Sequence, residues 1–310
     1  MENNTSLRII QFILVAIILI LTTVFTYYIR RNKINIFDRF GTGFLIGLAT
    51  DFGDFFGVGS FATTTGLFKA TKYNEDDRKL PATLNAVHVI PTIFQALLSM
   101  TIIKVDLTTL IPLAIANAAG AYVGPRVTKN WNVRAVRRAL AIILITAAIL
   151  VLVRFFILPG AIEQIYENFN IDPTATGLGT GGLLIFAMIF NFILGILMTI
   201  GFGNYTPQLI FFSLVGVNPA IAFPVMMFNA SVSMTVAVYQ FIRDGRIEWK
   251  GLAPIAIGGS IGVFIAAWIL AINENAGLPE TVLSVLIVSI SIWTAYTLIQ
   301  ENRKEGKKNA

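Results

Sequence analysis

Long apolar runs dominate this chain, and their spacing predicts its elements. Runs over 9–29, 81–103, 107–124, 139–153, 220–242, 252–272 and 282–299 carry few or no charged residues. Most approach or reach the ~20 residues that cross a hydrocarbon layer, so each predicts a transmembrane helix. The first competes with a cleaved signal peptide, but its apolar core is long for that role and no Ala-x-Ala site follows. Two other apolar stretches, 41–68 and 181–217, are interrupted. The first holds Asp51, Gly53, Asp54, Gly57 and Gly59 at its centre, followed by Ser60, Thr63, Thr64 and Thr65. The second reaches Gly201-Phe-Gly203-Asn204-Tyr205-Thr206-Pro207-Gln208 before it turns apolar again. A lipid-facing helix would not carry such a centre. Each stretch predicts a helix broken around a polar cavity, where protein or cavity water satisfies the freed backbone groups.

The two halves of the chain resemble each other. Leu110-Ile-Pro-Leu-Ala-Ile aligns with Leu252-Ala-Pro-Ile-Ala-Ile, and the same offset pairs Asp106 with Glu248 and Gly120 with Gly262. Pro81 pairs with Pro224, and Gly47 and Gly53 pair with Gly195 and Gly201. Ordered Pro, Gly and acidic matches favour a duplication over chance likeness between apolar segments. Charge then sets the topology. If each broken stretch enters and leaves on its own side, loops 30–39, 69–79, 126–138, 243–250 and the tail share one face. That face holds all of the 23 Lys and Arg except Arg8, Lys104 and Arg154, so it reads as cytoplasmic. Each half is a hairpin followed by three spans. Three is odd, so the repeats are inverted, an architecture used by secondary transporters.

The expected fold is an all-α polytopic membrane protein of two inverted repeats. Each repeat is a broken-helix hairpin plus three transmembrane helices, and one extra N-terminal helix precedes them. The expected divisions are 1–40 (first helix and basic loop), 41–153 (first repeat), 154–180 (extracytoplasmic linker), 181–300 (second repeat) and 301–310 (basic tail). The protein is expected in the cell membrane with its C-terminus cytoplasmic and its N-terminus outside. Whether the hairpins are re-entrant or pairs of short spans stays open, as does the oligomeric state, a homodimer included. Small-residue pairs Gly43-x-x-x-Gly47, Gly120-x-x-x-Gly124 and Gly258-x-x-x-Gly262 read as close helix packing.

Composition agrees with this class. The chain is 55% hydrophobic and 13% charged, where a soluble domain carries about a quarter charged residues. The net charge of +6 marks loops facing the cytoplasm and gives no reason to expect a nucleic-acid partner. With no cysteine and one histidine, disulfides and thiolate or multi-histidine metal sites are excluded, and no metal or other cofactor is expected.

Three titratable groups fall within the apolar region: Asp51, Asp54 and His88. An intramembrane carboxylate costs about 2.5–3.5 kcal/mol on insertion scales, and such residues usually mark ion or proton pathways. The plainer reading is a shallow hairpin with both carboxylates wet at its tip. His88, with an ordinary pKa near neutrality, suits a coupled proton, although a neutral histidine bonded to a carbonyl fits equally. The three are the expected proton-coupling set. The start of a second half-helix offers free N–H groups and the positive end of the helix dipole, which together suit an anion. Gly57, Gly59, Ser60, Thr63 and Thr64 in one break, and Gly203, Asn204, Tyr205, Thr206 and Gln208 in the other, are therefore expected to bind substrate. Asn85, Gln95 and Asn229 supply further neutral donors. For any one of these, a simple interhelical hydrogen bond is the competing role.

These residues resemble the sulfite exporter TauE/SafE family of membrane permeases. The likeness rests on 55–69 (Phe-Phe-Gly-Val-Gly-Ser-Phe-Ala-Thr-Thr-Thr-Gly-Leu-Phe-Lys), on 80–96 around Asn85 and His88, and on Gly201-Phe-Gly-Asn-Tyr-Thr-Pro with 217–224. It extends over most of the chain after Arg39. Thr63 and Ala82 stand where members often carry Pro and Gly, and Asn204 and Gln208 are more polar than usual. The resemblance implies a permease for small anions such as sulfite, sulfonates or related organosulfur compounds, working with a proton or sodium gradient. The alternatives are an anion channel, a carboxylate transporter, an intramembrane enzyme and a structural scaffold. The lack of cysteine, a histidine cluster or a paired acid and base weighs against the enzyme.

Overall fold

The computed structural model describes residues 2–128 apart from 58, 77 and 104, residues 177–272 apart from 180 and 216–218, and scattered positions within 132–152 and 285–303. Of the expected third helix of each repeat (139–153 and 282–299), the linker and the tail, only scattered positions are described. Within them, every regular element is a helix: α1 Glu2–Asn32, α2 Phe40–Phe55, α3 Ser60–Thr71, α4 Leu80–Ile102, α5 Leu107–Val127, α6 Gly182–Met198, α7 Tyr205–Leu214, α8 Pro219–Arg243 and α9 Leu252–Ile272. Five of these, α1, α4, α5, α8 and α9, are long and apolar enough to cross a membrane. At 1.5 Å per residue, 21 residues of α5 or α9 span about 31 Å, close to a hydrocarbon layer.

The broken stretches form helical hairpins. The 16 and 12 residues of α2 and α3 extend only about 24 and 18 Å, and the 17 and 10 of α6 and α7 about 26 and 15 Å. Each arm falls short of a full crossing. Gly57 (φ 88°) and Gly59 (φ 79°) turn the first hairpin in the left-handed region that residues with a Cβ avoid. Both ends of that hairpin return to one place, since the Arg39 guanidinium donates to the Lys72 carbonyl at 2.7 Å. It therefore enters and leaves on the same side.

The basic loops gather at that end. The Tyr73 hydroxyl donates to the Gly251 carbonyl at 2.8 Å, and Ala253 N–H donates to Ile36. Burial, with Asp38 nearby, pushes the Tyr73 hydroxyl up to about 12, so it stays a donor. Lys250 pairs with Glu75 at 3.0 Å, and Lys79 with Glu248 at 3.6 Å. Gln240 donates to the Tyr122 carbonyl near the end of α5, and Asn302 donates to Arg134. The described residues of 33–39, 72–79 and 243–251 and the ends of α5 and α8 thus meet at one end of the molecule, and Asn302 lies against Arg134.

At the other end, Asp106 caps α5. Its carboxylate accepts from the N–H groups of Thr108 and Thr109 and from both their hydroxyls, while Leu178 N–H donates to the Thr109 hydroxyl at 2.8 Å. Partial burial raises this carboxyl's pKa, but the hydrogen bonds outweigh it and leave it below the usual value. A lowered folded-state pKa stabilises above the ordinary carboxylate range and loses that contribution as pH falls through it. Asp106→Ala should therefore cost about 1 kcal/mol at neutral pH. The deficit should shrink towards pH 3, measured as thermal unfolding in detergent.

Two central helices, α4 and α8, pack against each other and are flanked by the pairs α2–α9 and α5–α6. Glycine allows both flanking pairs their contact. A Cβ on Gly47 would lie 2.0 Å from the Ile255 carbonyl oxygen, and one on Gly195 would lie 2.1 Å from that of Asn117. Gly258 and Gly262 sit equally close to Phe44 and Leu48, as Gly120 does to Phe192. These contacts put Gly258 in the place of Gly120, one helical turn away from the Gly120–Gly262 match in the sequence. The hairpin tips reach past each other: Gly57 lies against Phe223 and Leu209, Gly201 against Pro81, and Gly203 against Phe61.

Candidate functional site

The site lies where the hairpin tips meet α4. Asp51 and Asp54 are three residues apart on α2 and share its inner face. Asn85, His88 and Gln95 form a matching row on α4, which is buried on most sides. Asp51, His88 and Gln95 are fully buried and Asp54 is 1% exposed, so neither carboxylate is wet at a shallow tip.

Both carboxylate oxygens of Asp51 lie 2.9 Å from His88 Nδ1, and His88 Nε2 lies 2.9 Å from the Thr64 hydroxyl. The carboxylate makes Nδ1 the protonated nitrogen. The line Asp51–His88–Thr64 joins α2, α4 and α3. Asp54 heads a second line. Its Oδ1 accepts from Ser60 N–H at 2.6 Å and its Oδ2 from the Gln95 amide at 3.1 Å. The Gln95 carbonyl oxygen accepts from the Tyr205 hydroxyl at the start of α7. This line runs from the first hairpin through α4 to the second. The Ser60 N–H expected to face an anion is thus taken by the chain's own carboxylate.

Gly259 of α9 closes the back of the site. A Cβ there would stand 2.2 Å from Asp51 Oδ2 and 3.0 Å from Pro91 Cγ. The Gly258-Gly259 doublet in a packing motif was its only signal in the sequence.

A third network consists of amides. Asn204 donates to the Asn117 side-chain oxygen at 3.4 Å, and Asn117 donates to the Asn191 carbonyl at 3.1 Å. Asn229 donates to the Asn191 side-chain oxygen at 3.2 Å and to Gln208 Oε1 at 2.9 Å. Asn204, Gln208 and Asn229 were expected here. Asn117 and Asn191 were not, although an asparagine inside an apolar run was the available signal. Other expected residues stand apart. Thr63 turns its hydroxyl to the carbonyls of Gly59 and Ser60, and the Asn85 amide donates to Pro81. The Thr206 side chain lies outside the described residues. Among the described residues no group of three acidic or histidine side chains could hold a metal ion, and no buried side chain is a lysine or arginine.

The profile of the sulfite exporter TauE/SafE family matches residues 3–151 and 183–310. The chain belongs to this family. Membership implies a multi-pass membrane transporter of sulfite or related anions, working in a lipid bilayer, and TauE/SafE is a family of transporters and not of enzymes. No curated protein and no solved structure shows significant similarity to the chain.

Proposed function

We propose that this TauE/SafE protein is a secondary transporter that holds a small sulfur-containing or organic anion between its hairpin tips. Access alternates as one repeat rocks against the other, and the first hairpin couples the movement to protons. One observation carries this reading: a continuous buried line, Asp54–Gln95–Tyr205, connects the carboxylates of one hairpin to the helix start of the other. Beside it, Asp51, His88 and Thr64 form a path along which a proton can be exchanged. Because no buried lysine or arginine faces them among the described residues, each proton taken up changes a buried charge balance set by Asp51, Asp54 and His88 alone, and that links protonation to conformation.

The reciprocal approach of the two tips supports inverted repeats over 41–153 and 181–300. The clustering of basic loops at one end supports a cytoplasmic C-terminus by the positive-inside bias. The reading is tested in proteoliposomes by sulfite-driven proton movement. Asp51→Asn, Asp54→Asn and His88→Gln should each lower coupled flux by about a hundredfold or more, in the range of general acid–base contributions. Unchanged proton-to-anion ratios in all three would remove the proton role. Absence of concentrative uptake in the unmodified protein would favour a channel.

A further inference from the structure

The amide network ends on two unsatisfied atoms. Gln208 Nε2 and Asn229 Oδ1 are buried and have no hydrogen-bond partner, and both residues are fully shielded from solvent. Their orientation is fixed by backbone carbonyls further along the network. Asn191 must turn its NH2 to the Ala187 carbonyl at 2.9 Å, so its side-chain oxygen faces Asn229 and can only accept. Asn229 must then present its NH2. Gln208, which meets the same NH2 at 2.9 Å, must present its oxygen. The opposite ends of these last two amides are left over as one donor and one acceptor. Each lies one amide width from a shared 2.9 Å contact, so they are no more than about 7.5 Å apart. A buried polar atom without a partner is costly, and here the two have opposite needs.

Resting on the anion-transport reading above, we infer that this amide pair recognises a small monoanion that carries its own O–H or N–H. The anionic oxygen accepts from Gln208 Nε2, and the ligand's own hydrogen is donated to Asn229 Oδ1. An oxyanion without such a hydrogen would set lone pair against lone pair at Asn229. A dianion would also bring a second charge into a site whose described surroundings contain no buried lysine or arginine. Hydrogensulfite and hydroxyalkyl sulfonates meet the requirement. Sulfite dianion and plain alkyl sulfonates do not.

The test compares uptake of 2-hydroxyethanesulfonate and ethanesulfonate, with sulfite alongside, in proteoliposomes of the full chain. Uptake efficiency should favour the hydroxylated compound by about tenfold or more, because a buried acceptor built for a donor rejects the analogue that lacks it. Asn229→Leu should bring the two towards parity. Equal uptake by the unmodified protein would overturn the inference and leave the transporter reading standing. Failure to take up any of the three would overturn that reading too. A preference that survives in Asn229→Leu would overturn the assignment to Asn229. The unmodified comparison needs no variant to fold.

Discussion

Gly259→Ala is expected to impair transport strongly and to destabilise the protein by about 1–3 kcal/mol, although it adds a single methyl group. The new Cβ would lie 2.2 Å from Asp51 Oδ2 and 2.8 Å from its Cγ, far inside contact distance. Two routes relieve the clash. α9 can retreat from α2, which separates Gly47, Gly258 and Gly262 from the carbonyls they now touch; overpacking of this kind costs about 1–3 kcal/mol. Otherwise Asp51 can swing off His88, leaving two buried polar groups without each other, and breaking a buried pair costs about 3–5 kcal/mol. The second route removes the candidate proton path. Thermal unfolding in detergent, read together with flux, checks the effect. Gly258→Ala is the control, because its Cβ meets the Phe44 carbonyl and not the carboxylate. It should lower stability without changing the pH dependence of transport. In the double variant Asp51→Ala/Gly259→Ala the clash disappears, so the combined cost should fall short of the sum by 0.5–3 kcal/mol. Strict additivity would show that Asp51 is not what Gly259 accommodates.

The readable parts of this fold are those set by local physics. Apolar length marked α1, α4, α5, α8 and α9, and glycine with polar centres marked both hairpins, because unwinding a helix in hydrocarbon needs those residue types. Asp51, Asp54 and His88 stood out because burying an ionisable group is costly wherever it occurs. Their pairing was not legible: His88 is 37 residues from Asp51, and only the depth to which α2 enters beside α4 brings them level. Asn117 and Asn191 were missed for a related reason. Each resembles an isolated interhelical bond until the α5–α6 contact joins them. The offset that pairs Leu-Ile-Pro with Leu-Ala-Pro, near the starts of α5 and α9, differs by one helical turn from the one at which Gly258 and Gly120 make matching contacts with Phe44 and Phe192. Gly259 was hidden because a glycine that accommodates a carboxylate and one that accommodates a backbone look the same in sequence.

Gln95→Leu should have the second large effect, and its signature should differ from that of Gly259→Ala. Gln95 is the one side chain described that bonds both hairpins, donating to Asp54 and accepting from Tyr205. Leucine fills similar volume but leaves the Asp54 oxygen and the Tyr205 hydroxyl buried without this partner. Each orphaned group costs about 1–3 kcal/mol, more where it is charged, so a loss of about 3 kcal/mol is expected. Asp54 keeps its Ser60 N–H and His88 keeps Asp51, so the first hairpin retains the proposed proton path. What is lost is the connection by which the state of Asp54 reaches α7. Proton release and anion movement should then separate: anion exchange down its own gradient persists, while a proton gradient no longer drives uptake. Tyr205→Phe removes the same link from the other side and leaves the Gln95–Asp54 bond in place. It should reproduce the uncoupling at a smaller stability cost. Coupled uptake that survives both substitutions would mean that the hairpins communicate by another route, through the direct contact of Gly203 with Phe61 or of Gly57 with Leu209.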